Sequence, residues 1–296
     1  MPLLRRRGFT LIELMVALVL LGIVAGGIYK VLVTNQQTYM AQTQRIDLQQ
    51  NLRAGVTILP AEFRELDPAD GDILLMTATQ IQIRAMRQLS FLCIPPGLGG
   101  GLGTTVTMTV RADPYFGDRV FDTSDSVLVF YEGNPGTRND DTWLPAELKI
   151  VTNPSACADG TPGYQLTVKP TWLGGTFNVA GAVTNGSPVR GYHVVTYQLY
   201  QASDGKWYVG QQDNNAGGTL QPLIGPVASN GLQFTYYDAA GAVTAVPTQV
   251  ASIGITLIGQ TASPIRQADA PGVAYKTDTV TTRVAVRNNP RCGPCL

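Results

Sequence analysis

The sequence predicts an α+β protein, with one long helix at the N-terminus followed by a large, mainly antiparallel β-domain. Three observations predict it. From Phe9 to Tyr29 the chain is largely apolar and its only charge is Glu13. Leu48, Leu52, Val56, Leu59 and Phe63 then recur at spacings of three and four, the stripe of an amphipathic helix. From about residue 70 the period changes to two, as in strands with one buried face.

The apolar run of about 21 residues would extend roughly 31 Å as a helix, enough to cross a hydrocarbon core. Arg5, Arg6 and Arg7 precede it and would hold that end on the cytoplasmic side. A cleaved secretory signal would end near Ala25-Gly26-Gly27, where small residues stand at suitable spacing. Neither that reading nor a plain anchor explains Glu13, because a carboxylate in the apolar region costs about 2.5–3.5 kcal/mol on insertion scales. The helical pattern continues past the run, with Gln44, Arg45, Asp47, Gln49, Gln50, Arg53 and Arg64 between the stripe residues. Pro60 is expected to kink or end this helix, and Asp67-Pro68 to stop it. The expected organisation is a leader over 1–8, a helix over 9–66 and a β-rich domain over 70–296. Within the helix, 9–29 would span the membrane and 30–66 would be amphipathic, its stripe packing on its own globular domain. Gly22, Gly26 and Gly27 are sites where helices could approach closely.

About ten strands are expected beyond the helix. Ile81–Arg84, Val106–Val110 and Gln165–Val168 alternate apolar with polar, and Ser126–Glu132 reads as a more buried run. His193–Gln201, followed by Asp204-Gly205 and Lys206–Val209, is the clearest hairpin. Leu232–Asp238, Ala251–Gly259 and Thr279–Arg287 complete the set, and Gly/Pro/Asn-rich segments at 95–103 and 212–218 separate strands. No internal repeat appears.

Composition fits an exported β-protein, 44% hydrophobic and only 14% charged. A formal net charge of zero argues against generic nucleic-acid binding, although a local basic patch remains compatible with it. One histidine, His193, leaves little material for histidine-based metal or acid–base chemistry. No P-loop or nucleophile elbow occurs, and the glycines at 97–103 precede no helical pattern, so no dinucleotide site is expected. Asp67–Asp72 and Asn139-Asp140-Asp141 are acidic turns that could take calcium, but such turns are commonly just solvated. Four cysteines allow three pairings in an oxidising compartment, and Cys93–Cys157 with Cys292–Cys295 is the expected set. Cys292-Gly293-Pro294-Cys295 repeats a thioredoxin tetrapeptide, but with only Leu296 after it the helix that lowers the thiol pKa cannot follow. A four-thiolate zinc site wants two close pairs, and there is one. No enzyme and no cofactor is expected.

The stretch Arg5-Arg6-Arg7-Gly8-Phe9-Thr10-Leu11-Ile12-Glu13-Leu14, with the apolar run behind it, resembles the class III signal of type IV prepilins and type II secretion pseudopilins. The resemblance implies cleavage between Gly8 and Phe9 by a prepilin peptidase, and methylation of the new Phe9 amine. Glu13 then becomes the fifth mature residue, the acidic position of that family. An amine of reference pKa about 7.7–8.0 stays mostly protonated near neutral pH, so Glu13 can pair with the Phe9 amine of its own or a neighbouring chain. Glu13 is thus an assembly residue on this reading. Cleavage would leave 288 residues, with 18 basic against 21 acidic side chains.

Residues 42–66 and the segments Pro226–Val243, Val250–Gly259 and Thr281–Asn289 resemble, more loosely, the PilW/PulJ group of minor pilins and J-type pseudopilins. The region 90–220 resembles no family. The implied function is that of a minor pilin priming or capping a type IV pilus, with adhesion or DNA uptake as further roles. Its partners would be other minor pilins, the major pilin and the inner-membrane assembly platform. It would sit in the inner membrane before assembly and on the surface pilus afterwards. A J-type pseudopilin of a secretion tip complex is the first alternative, and a membrane-anchored periplasmic binding or redox domain that never polymerises is the second.

Overall fold

The structure is a computed structural model and describes residues 10–97, 104–117, 119–134, 136–137, 140–171, 182–215, 217–266 and 272–287. Helix α1 runs from Leu11 to Arg64, 54 residues, about 81 Å long. It continues through Pro60 and does not end there. Proline removes only the bond to the Val56 carbonyl, and only one turn follows it. Burial of Leu59, Pro60 and Phe63 against the sheet outweighs that loss. The last turn is closed from outside, where the Arg287 N–H donates to the Arg64 carbonyl at 2.8 Å. The helix has ended by Asp67-Pro68.

Fourteen strands follow among the described residues: β1 (Ile73–Met76), β2 (Gln80–Ile94), β3 (Val106–Arg111), β4 (Phe116–Gly117), β5 (Ser126–Tyr131), β6 (Thr142–Ala156), β7 (Pro162–Pro170), β8 (Pro188–Gln201), β9 (Trp207–Asp213), β10 (Gln221–Tyr237), β11 (Ser252–Gln260), β12 (Ile265–Arg266), β13 (Val273–Ala274) and β14 (Thr277–Ala285). The number exceeds the expected ten because β4, β12 and β13 are two-residue pieces. In addition, β6 carries Pro145 and Pro154, which hide it from a period-two reading.

Every pairing is antiparallel. The path β1-β2-β3-β7-β6-β5-β8-β9-β10-β11-β14 is one sheet, and β2 also pairs β8. That extra pairing closes β2, β3, β7, β6, β5 and β8 into a six-stranded barrel. The rest, β1-β2-β8-β9-β10-β11-β14, is an open sheet with α1 across one face.

Two hydrophobic cores result. In the first, the α1 stripe packs on the open sheet: Leu48, Leu52, Leu59 and Phe63 are buried with Ile83, Val195, Phe234, Ile255 and Leu257, and Val56 packs at the margin. Phe63 sits edge-on to Tyr197 and Phe234, with centroids 5.7 and 5.8 Å away. Helix and sheet approach closely at Gly259, where a Cβ would lie 2.5 Å from Leu48 Cδ1, so any side chain there would push Leu48 and Leu52 aside. The second core fills the barrel with Leu92, Met108, Val110, Val127, Val129, Leu148, Leu166, Val168 and Val189. Strand β8 serves both cores with one face, Val189 in the barrel and Val195 and Tyr197 under the helix. On β2 the register shifts between Met86 and Gln88, so Ile81, Ile83 and Ala85 point into the first core and Leu92 into the second.

Candidate functional site

The first candidate is the N-terminal end of α1. Thr10 is its N-cap, and its hydroxyl accepts from the Glu13 N–H at 3.4 Å. Thr10-Leu11-Ile12-Glu13 has the spacing of a capping box, so Glu13 stands where its charge also meets the positive end of the helix dipole. The Thr-x-x-Glu spacing was legible in the sequence as a helix start, beside the role given to Glu13. From Leu11 to Leu32 every residue of the helix is exposed, Leu11 by 79%. Its most apolar stretch has a mean hydropathy of 2.5 and no buried residue, long and apolar enough to cross a membrane. Gly22, Gly26 and Gly27 face open space. Gly8 and Phe9 lie outside the described residues.

The second candidate is polar and lies between the two cores. His193 on β8 points the same way as Val189 and Val195, at the junction of barrel and open sheet. Its Nε2 lies 2.6 Å from Asp125 Oδ1, and its Nδ1 pairs with Asp213 Oδ2 at the end of β9. Arg119 donates to both oxygens of the buried Asp125, at 2.5 and 3.0 Å, and the Asp122 N–H adds a bond of 2.7 Å. Gln88 of β2 reaches the same carboxylate at 3.4 Å. Asn215 ties the cluster down, accepting from the Val194 N–H and donating to the Ser124 carbonyl and Ser126 hydroxyl.

An imidazole with a carboxylate at each nitrogen is fully satisfied only as the imidazolium. The Asp125 bond, opposed by burial and aided by Asp213, raises the His193 pKa above its ordinary value. Burial pushes Asp125 up, but the His193 and Arg119 hydrogen bonds outweigh it and hold the carboxyl below its usual range. The cluster is a charge-paired clasp in which Asp125 stands between two cations, since Arg119 Nη2 also lies 3.1 Å from His193 Nε2. Sequence reading missed it because Asp125 and Asp213 stand 68 and 20 positions from His193, and no local pattern joins them.

Cys93 at the end of β2 and Cys157 at the β6–β7 turn form a disulfide, with Cα atoms 5.4 Å apart, closing a separation of 64 residues. Cys292 and Cys295 lie outside the described residues. The acidic turn at 67–72 folds back on itself: Asp72 Oδ2 accepts from the Asp67 N–H at 2.9 Å, and Asp67 Oδ1 from the Asp70 N–H at 3.3 Å. Asp140 likewise binds the Asn134 N–H and the Thr137 hydroxyl; Asn139 lies outside the described residues. Among the described residues no three His, Cys, Asp or Glu side chains gather as metal ligands.

The family model for the prokaryotic N-terminal methylation motif matches residues 3–29. No curated protein and no solved structure matches the chain. The chain therefore carries a type IV prepilin-like class III signal, and the motif leads into an exposed apolar helix. That combination supports a membrane-anchored, type IV pilin-like or pseudopilin character.

Proposed function

We propose that this chain is a minor pilin of a type IV pilus, a non-enzymatic filament subunit that primes or caps assembly. The observation that carries the reading is the methylation motif at 3–29, continuous with a helix whose first half its own domain leaves uncovered. On this reading prepilin peptidase cuts between Gly8 and Phe9 and the Phe9 amine is methylated. Unpaired in lipid, Glu13 is costly. Paired with the Phe9 amine of a neighbouring subunit its cost is offset, which favours leaving the bilayer for the filament. The N-terminus faces the cytoplasm before assembly, and the β-domain reaches the periplasm and then the cell surface. The partners are the other minor pilins, the major pilin and the assembly platform. The barrel, additional to the helix-covered sheet, is the part available for adhesion or DNA uptake.

Intact-mass and N-terminal peptide spectrometry on protein from its native membrane tests this, comparing the wild type with Glu13→Ala. A chain beginning at methylated Phe9, present in sheared filaments and lost from them in Glu13→Ala, is the expected result. Recovery with secretion components in place of pili would assign the J-type pseudopilin role. A chain beginning at Met1, or one cut near Gly27, would return it to anchored or secreted β-domains that do not polymerise.

A further inference from the structure

The open sheet has two ends, and they are finished differently. At one end β1 has four residues, its register with β2 shifts between Ile73 and Leu75, and the 3-10 turn Pro247–Gln249 packs beside it. Short, bulged and flanked strands are the usual protection of a sheet edge. At the other end β14 has nine residues, pairs β11 without a register shift, and among the described residues pairs with no other strand. Thr277, Thr279, Val280, Thr281, Thr282 and Val284 are β-branched, and the strand carries no proline or lysine.

The ladder fixes which groups are free. The Thr261 N–H donates to the Lys276 carbonyl at 2.9 Å and the Val286 N–H to the Ala251 carbonyl at 3.2 Å, one bond at each end of the β11–β14 pair. Even-numbered residues of β14 therefore face β11, and Thr277, Thr279, Thr281, Arg283 and Ala285 turn their N–H and C=O groups away from the sheet. The next odd residue, Arg287, is taken by the Arg64 carbonyl, and the Thr279 N–H by Asp278 Oδ1 at 2.9 Å. Between these two, Thr281, Arg283 and Ala285 are exposed, and their main-chain groups have no partner among the described residues. The Arg283 side chain leaves this window clear. Its Nε donates to Ser252 Oγ at 2.9 Å, and its guanidinium lies over the Tyr237 ring, 3.8 Å from the centroid.

Such a row of main-chain groups is complementary to one class of ligand, an extended backbone. A second copy of this chain supplies it poorly. Antiparallel pairing of β14 with β14, the sense of every other pairing in the sheet, turns the two α1 helices in opposite directions, which a shared membrane crossing forbids. β1 and β14 run the same way, six antiparallel steps apart, so a copy set alongside with α1 parallel would join them in parallel through a bulged strand. We propose that the β14 edge at Thr281–Ala285 receives an extended strand from a different pilin-type subunit. The partner strand carries apolar residues on the face of Val280 and Val284, which pack into the first core, and small polar ones beside Thr281 and Arg283. The kind of partner rests on the function proposed above; the availability of the edge does not.

Proline at position 281 tests this, because the ring removes an N–H that β11 does not use and fills the space of an incoming strand. The full chain is followed in its native membrane and in sheared filaments. Thr281→Pro should be processed and keep the protection of β10 and β11 against hydrogen exchange, yet fall about tenfold in the filaments through the lost main-chain bond. Ala285→Pro should act alike, and it carries the test where Thr281→Pro does not fold. A benzophenone photo-cross-linker in place of Thr279 should join the chain to another protein with the methylation motif. Wild-type amounts of the folded proline variants in filaments overturn the edge contact and leave the filament subunit standing. Absence of an adduct overturns it too, and an adduct between two copies assigns the edge to self-pairing instead. Absence of the wild type itself from filaments overturns the subunit reading, and the partner with it.

Discussion

The two cores are closed by different means. The open sheet is closed by a helix that leaves it after Arg64 and is locked again by Arg287 near the other end of the described chain. Its buried residues run from Leu48 to Val286, so it exists only when distant parts of the chain meet. The barrel is closed by strand pairing on itself and by the Cys93–Cys157 bridge, and its core draws on a shorter stretch, Leu92 to Val189. β2 and β8 run through both. The barrel is thus a prolongation of two strands of the open sheet. Where the two apolar interiors would merge, the structure places Asp125, His193, Asp213 and Arg119. The contrast teaches that the cores are coupled through two strands and one charged clasp, so each can be broken with a distinct signature.

Phe63→Ala should have the largest effect. It removes the ring that meets Tyr197 and Phe234 at the centre of the first core, at a cost of about 4 kcal/mol. Hydrogen exchange should accelerate first in β10 and β11 and later in β3 and β7; simultaneous acceleration would show that the two cores unfold as one. Replacing Cys93 and Cys157 together by alanine should reverse the order. Opening a 64-residue closure costs up to about 4 kcal/mol through the unfolded state. Exchange should then rise first in β3, β6 and β7, and a uniform rise would again mean one cooperative unit.

His193→Gln addresses the seam and should cost about 2 kcal/mol, since Asp125 keeps Arg119 but loses its partner on β8. The His193 pKa is raised in the folded state, so its contribution is complete below the ordinary value of 6.5 and is lost as pH rises through the raised value. The Asp125 pKa is lowered, so its contribution is present above 3.8 and is lost on acidification through the lowered value. The clasp is therefore strongest in mild acid, between those limits. Thermal melts from pH 5 to 9 should show the wild type losing stability on the alkaline side and His193→Gln nearly flat there. Parallel curves would mean that His193 does not titrate in this range.

The parts legible in the sequence are those with local signals. The α1 stripe was readable because burial follows the helical period, and the β8–β9 hairpin because Asp204-Gly205 stands between two alternating runs; Gln201 pairs Trp207 and Leu199 pairs Val209 across it. Strand β6 was not readable, because its prolines break the alternation and Pro145 is tolerated beside Leu128 on the barrel wall. Closure of the barrel depends on β2 meeting β8 about a hundred residues later, which period cannot encode. At the N-terminus a 27-residue motif was legible because its chemistry is local. The clasp was not, because tertiary structure alone assembles it.

The smallest predicted effect lies where the two regions meet in a different way, at the turn between α1 and β1. Asp72 is buried, with Oδ2 on the Asp67 N–H and Oδ1 only 3.9 Å from Arg84 Nη1. Burial, working against the Asp67 N–H bond and the Arg84 charge, pushes its pKa up to about 6. A raised carboxyl pKa means that the folded state holds its proton longer than the unfolded one. This contribution is complete below 3.8 and is lost as pH rises through about 6. Asp72→Asn keeps an acceptor for the Asp67 N–H and carries no charge into the buried site. At pH 8 the variant should melt about 2 °C higher than the wild type, and at pH 4 the two should coincide. A lower melting temperature at pH 8 would show that the Arg84 and Arg190 guanidinium groups, one on β2 and one on the barrel end of β8, outweigh burial. The acidic turn would then be a third link between the two regions, an electrostatic one that acts outside both cores.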